Sequence, residues 1–299
     1  MEDAAYSLLG IFSVTGIPPI YGEGERSLGH LLAHVLAGSG DVSILAWTGE
    51  SGGYNSCLPA HISVFNQPTT SHLPPPIQDA EIEKITASHS SSFDLDVALR
   101  LYDRLNDLDA PWFAASRMKL PCIAFQLPSL SLYRTRPDRI YRVNTHAFGI
   151  VEIITRTDLS RLNSLYLVHP WLDTLLEHED IQSGILVEDD VVPPPSPITD
   201  DEEICDEEMD HDSSSLPEPE LPSFPTPVRM VPMDREARAR QLVARLRQPF
   251  GALLVTLAST GRRVVGYKRV AADSMITVQF QENLSLSELL DNVRTIDVL

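Results

Sequence analysis

The sequence predicts an α+β fold, and three observations carry that prediction. Apolar residues recur at helical spacing near both ends of the chain. Runs rich in branched and aromatic residues lie between turn-forming or charged residues and read as strands. An acidic, Pro-rich tract separates the two stretches that carry these patterns. The expected architecture is a helical N-terminal segment over 1–48, a mixed-sheet body over 49–182, a disordered acidic linker over 183–228 and a small α/β unit over 229–299.

Each element has its own signal. In "EDAAYSLLGIF", Ala5, Leu8, Leu9 and Phe12 share a helical face, with acidic residues in the first turn where the helix dipole favours them. Gly16 and the pair Pro18 and Pro19 end that helix. "GERSLGHLLAHVLAG" predicts a second helix along Leu28, Leu31, Leu32 and Val35, with Gly38 as its terminator. "VSILAW" reads as a short buried strand, and the stretch from Gly49 to His72 as poor in helix. A helix capped by Ser92 or Asp94 is expected to run to about Leu108.

Strands follow at "LPCIAFQL", "RIYRVNT" and "FGIVEIIT", and "LYLVHPWLDTLL" reads as a strand leading into a helix begun near Pro170. Beyond the linker, "DREARARQLVARLR" is a helix, "GALLVTL", "RVVGYKRVA" and "MITVQF" are strands, and "SLSELLDNV" is a closing helix. A unit of about 70 residues forms only a marginal core alone, so these C-terminal strands are expected to join or pack on the sheet of the body.

The charge is uneven. The formal net charge is -19, yet 14 Asp and Glu with no Lys or Arg fall between Glu188 and Glu220, leaving 28 acidic against 23 basic residues elsewhere. The rest of the chain lacks the basic balance that a nucleic-acid surface needs to displace counterions. No apolar run is long enough to span a bilayer, so no membrane partner is expected. Cys57, Cys122 and Cys205 are odd in number and widely spaced, which suits a reducing, cytoplasmic setting better than a disulfide framework.

Chemical motifs are sparse. "GESGG" at Gly49 to Gly53 fits G-x-S-x-G, but a nucleophile elbow requires a helix directly after Ser51, and Pro59 with no helical stripe argues against one. A glycine-rich turn explains the same residues. His30 and His34 are four apart on a predicted helix, the spacing for a shared metal ion, but the H-E-x-x-H base and a third ligand are missing. Cys122 beside Pro121 reads as an inert buried thiol. In "YGEGER", Gly22 and Gly24 permit a tight junction, while Glu23 and Glu25 favour the first turn of the following helix.

The stretch "EDAAYSLLGIF...PPIYGEGERSLGHLL...SILAW" resembles the segment that follows the HET domain in heterokaryon-incompatibility proteins of filamentous fungi. The residues that carry the resemblance are Glu2, Asp3, Ala5, Tyr6, Leu8, Gly10, Phe12, Tyr21, Gly22, Glu23, Gly24, Glu25, Ala46 and Trp47. The resemblance covers residues 2 to 47 and implies a chain that is the C-terminal portion of a larger architecture, whose HET core has a TIR-like signalling fold. It assigns no catalytic, cofactor-binding or metal residue here, because those would lie in the HET core.

The resulting expectation is a non-enzymatic regulatory or interaction region in vegetative incompatibility and programmed cell death. It needs no cofactor and has a protein partner, a HET domain in cis or in trans. The alternatives are a stand-alone protein-binding module using the acidic Pro-rich tract, and a serine hydrolase acting through Ser51.

Overall fold

The computed structural model describes residues 26–40, 42–66, 94–135, 139–162, 164–171, 235–260 and 263–299, together with Ser7. Four α-helices occur among them: α1 (Arg26–Ser39), α2 (Leu95–Asn106), α3 (Arg235–Leu246) and α4 (Leu286–Asp291). Ten strands accompany them: β1 (Trp112–Ala114), β2 (Arg117–Gln126), β3 (Ser131–Arg134), β4 (Arg139–Thr145), β5 (Gly149–Thr155), β6 (Leu165–Pro170), β7 (Phe250–Thr260), β8 (Arg263–Arg269), β9 (Ile276–Val278) and β10 (Val293–Val298). This is an α+β architecture, as the sequence predicts.

The strands on either side of the acidic tract share one sheet, in the order β1-β2-β10-β8-β7-β6 with β9 on β7. A further β2 to β6 ladder, running from Cys122 opposite Pro170 to Gln126 opposite Tyr166, closes five of these strands into a ring. Among the described strands only the β10 to β8 contact is parallel, so the sheet is mixed. β10 lies along β2 from Val293 opposite Ile123 to Val298 opposite Met118, and β7 lies along β6. The stretch 229–299 therefore supplies central strands to the sheet of the body. A second, three-stranded antiparallel sheet is formed by β3, β4 and β5.

Strand alternation sorts side chains into two cores. Met118, Leu120, Cys122 and Ala124 of β2 point to one side and pack with Val255, Ile296, Val298 and the leucines of α1. Ile123, Leu167, Leu254 and Val293 point to the other and pack with α2, α3, α4 and with Tyr141, Val143, Val151 and Ile153 of the second sheet. Burying β2 on both faces accounts for its continuous apolar run. His169 of β6, partly buried, stacks on Phe250 of this second core with ring centroids 3.9 Å apart, and desolvation pulls its pKa from 6.5 down to about 4.

Local signals account for several boundaries. Asp94 caps α2, its carboxylate accepting from the N–H groups of Asp96 (3.0 Å) and Val97 (3.1 Å), and Ser285 with Glu288 forms a capping box on α4. α1 runs through Gly38 and stops at Ser39. Its terminator is Gly40, at φ +67°, whose N–H donates to Leu36 O at 2.8 Å.

Three elements carried no clear sequence signal: β1, β3 and β10, each of at most six residues. The strand expected at "VSILAW" is instead a 3-10 turn over Val42–Leu45 followed by irregular chain. The physical reason is that the carbonyls of Leu45 and Trp47 are engaged by a side chain, so they serve no ladder. The disordered linker of 183–228 falls outside the described residues; of the helix expected to begin near Pro170, Pro170 itself is the last residue of β6 and Trp171 is irregular, and the rest lies outside them.

Candidate functional site: a buried arginine at the Trp47 junction

Of the residues that carry the resemblance, Glu2, Asp3, Tyr6, Tyr21, Gly22, Glu23, Gly24 and Glu25 lie outside the described residues, and Trp47 lies within them. Trp47 is 2% exposed, and its indole Nε1 donates to Cys57 O at 2.8 Å. Across its ring face, 3.8 Å from the centroid, lies the guanidinium of Arg269. The end of the motif thus meets the last residue of β8.

Arg269 is buried, and its guanidinium is held by main-chain oxygens. Nη1 donates to Leu45 O at 2.7 Å and to Cys57 O at 3.4 Å, and Nη2 donates to Trp47 O at 2.7 Å. No carboxylate pairs with it among the described residues. Three carbonyl dipoles and the negative face of an indole replace the counter-ion, which is how a planar, forked cation is kept charged away from water. Burial still lowers its pKa from 12.5 to about 10, leaving it protonated at neutral pH.

The loop that feeds these carbonyls is fastened at several further points. Asn55 Nδ2 donates to Ser116 O (2.7 Å) and Val298 O (2.9 Å), while its Oδ1 accepts from Cys57 N at 2.8 Å. Ser56 Oγ accepts from the Arg269 N–H at 3.0 Å, and Ser56 N donates to Leu299 O at 2.8 Å. Asn55 and Ser56 are buried polar residues whose hydrogen bonds join the loop to β8 and β10.

The Ser51 reading finds no elbow. Ser51 forms an isolated antiparallel bridge with Pro59, and irregular loop rather than helix follows it. Gly49, at φ +107°, and Gly52, where an added Cβ would lie 2.9 Å from Pro59 O, explain the glycines as turn geometry. His30 packs on Tyr54 with ring centroids 4.5 Å apart, His34 is exposed, and no group of three metal-ligating side chains occurs among the described residues. Cys57 and Cys122 are fully buried, and burial pushes each thiol up to about 12.

Arg269 is the residue that sequence reasoning missed. "RVVGYKRVA" reads as a strand, and strand alternation points only one of the neighbours Lys268 and Arg269 outward, without saying which. Lys268 is exposed and Arg269 buried. Comparison with known proteins finds no matching family model, no matching curated protein and no matching solved structure. No helix among the described residues is long and apolar enough to cross a membrane.

Proposed function

We propose that this chain is a non-enzymatic regulatory or interaction region of the heterokaryon-incompatibility type, acting in the cytoplasm with a HET domain, in cis or in trans, as its protein partner. The observation that carries the reading is the Arg269 clasp on Trp47. Through it the last residue of the family-like segment is tied to strands contributed by 229–299, so a HET domain docked on that segment would be attached to a rigid sheet. Such an attachment is what a regulatory region needs in order to hold a signalling domain in a defined pose.

The test is titration of the purified chain with separately expressed HET domains from incompatibility proteins, together with a cell-death assay in fusing hyphae. Saturable binding to a HET domain and a changed death response on co-expression are the expected results. Absence of both, with the chain folded, overturns the reading. The hydrolase alternative is checked on the same sample with a fluorophosphonate, where no labelling of Ser51 is expected.

A further inference from the structure

On the side of the molecule where α4 meets the turn between β4 and β5, the surface opens into a groove. Its first part is a cleft of about 580 Å3 enclosed by the last two residues of β2 with Leu127 and Pro128 after them, the β4 to β5 turn and α4 with its flanking residues. It continues into a recess of about 380 Å3 that shares Asn144, Thr145 and His146 and adds Gly149, Gln281 and Asn283. The groove is set on an aromatic base. Phe125 and Phe148 meet edge to face at 5.3 Å, and Phe148 stacks on Phe280 at 5.2 Å.

Neutral amides dominate the polar part of the rim. Gln126 and Asn144 border the cleft, and Gln281 and Asn283 border the recess. The side chains of these four residues make no hydrogen bond among the described residues. Among the described residues no Lys or Arg lines either cavity, and the ionisable groups there, His146 and Glu288, face each other at 3.6 Å.

The walls are fixed before any ligand arrives. The Arg247 guanidinium, beyond the end of α3, donates to the carbonyls of Gln281 and Leu284, and Gln281 N donates to Ala147 O at 2.8 Å. Gly149 sits at φ +69°, and the Gln281 amide lies 2.9 Å from where a side chain would begin. The recess therefore needs glycine at that position.

We propose that this groove is a binding site for an uncharged, hydroxyl-rich ligand, a neutral sugar or short oligosaccharide. A phosphate or carboxylate would find no lysine or arginine among the described residues of these walls, and the one imidazole there faces the Glu288 carboxylate. Each primary amide presents two donors and an acceptor within one plane, which matches neighbouring hydroxyls that both donate and accept. Phe125, half-buried and backed by the buried Phe148, offers apolar surface to the C–H face of a pyranose, and the cleft volume falls in the range of small-molecule sites. An extended peptide is a poorer match, because it is read by a strand edge in fixed register, whereas these amides come from separate elements.

The experiment is saturation-transfer NMR on the full chain with maltose, cellobiose and lactose, with glucose 6-phosphate and an uncharged tripeptide as separate arms. At least one neutral disaccharide is expected to bind saturably and more tightly than glucose 6-phosphate or the peptide. Asn144→Ala and Gln281→Ala are each expected to weaken it about tenfold, the equivalent of one lost hydrogen bond, with unchanged melting. If Gln281→Ala shifts the melt, Asn283→Ala, at an exposed position, replaces it. Three results overturn the proposal: no saturable sugar binding up to about 50 mM, where any remaining affinity is too weak for a site; binding indifferent to both substitutions; or a preference for the peptide or the phosphorylated sugar. The outcome is independent of HET-domain binding, so this test and the preceding one can fail separately.

Discussion

Arg269 lies over the Trp47 ring at 3.8 Å while donating to the Trp47 carbonyl at 2.7 Å, so one side chain grips another residue by both its face and its backbone. The two residues are far apart in sequence and come from opposite sides of the acidic tract. The grip depends on planarity. Arg269→Lys keeps the charge but loses the fork and the stacking, and Arg269→Met leaves the Leu45 and Trp47 carbonyls without their donor. Each is expected to destabilise the chain by about 2 to 4 kcal/mol in urea unfolding. A double-mutant cycle with Trp47→Leu is expected to give a coupling of about 1 to 2 kcal/mol.

His169 makes stability depend on pH in a defined direction. Its folded pKa is about 4 against a normal 6.5, because burial against Phe250 excludes the charged form. The unfolded chain therefore binds the extra proton below 6.5, and stability present above that value is lost as pH falls towards 4. The expected loss is about 2 kcal/mol between neutral pH and about pH 5. His169→Phe is expected to flatten that part of the profile, read as melting temperature against pH for the two proteins.

The thiols of Cys57 and Cys122 are expected to be silent in the native state. Both are buried and held in the protonated form, with pKa values near 12. In a Cys205→Ser chain, a thiol reagent at neutral pH should leave both unmodified, and unfolding in denaturant should expose both. Reaction of either under native conditions would show that the core containing α1 opens locally.

Gly149→Ala is expected to cost about 1 to 3 kcal/mol, since it combines a positive φ with a side chain placed against the Gln281 amide. Gln281→Ala in the same chain should restore part of that loss, because it removes the contact and leaves the backbone strain. Thermal melting of the two single variants and the double variant separates these contributions.

Much of the local structure was legible in the sequence. The leucine spacing of α1, the Asp94 cap of α2 and the branched runs of β4, β5 and β7 each state their element through nearest neighbours, and they appear where those patterns place them. The misreading at "VSILAW" has the opposite origin. Its apolar residues suit a buried strand, but a strand needs a free ladder partner, and the carbonyls there are taken by a guanidinium that follows more than 200 residues later. β10 was hidden for a related reason. "VRTIDV" alternates weakly and becomes a strand by lying along β2.

The α+β class, most helix ends and the strands β2 and β4 to β9 were legible in the sequence, because caps, turn residues and hydrophobic period act within a few positions of one another. Folding was needed to settle that the β2 to β6 ladder closes the sheet, that Arg269 rather than Lys268 turns inward, and that amides from β2, β4 and the loop before α4 meet at one groove. These are contacts between residues distant in the chain. Their energies come from burial and from dipoles brought together only after the strands have paired, and no local pattern records them.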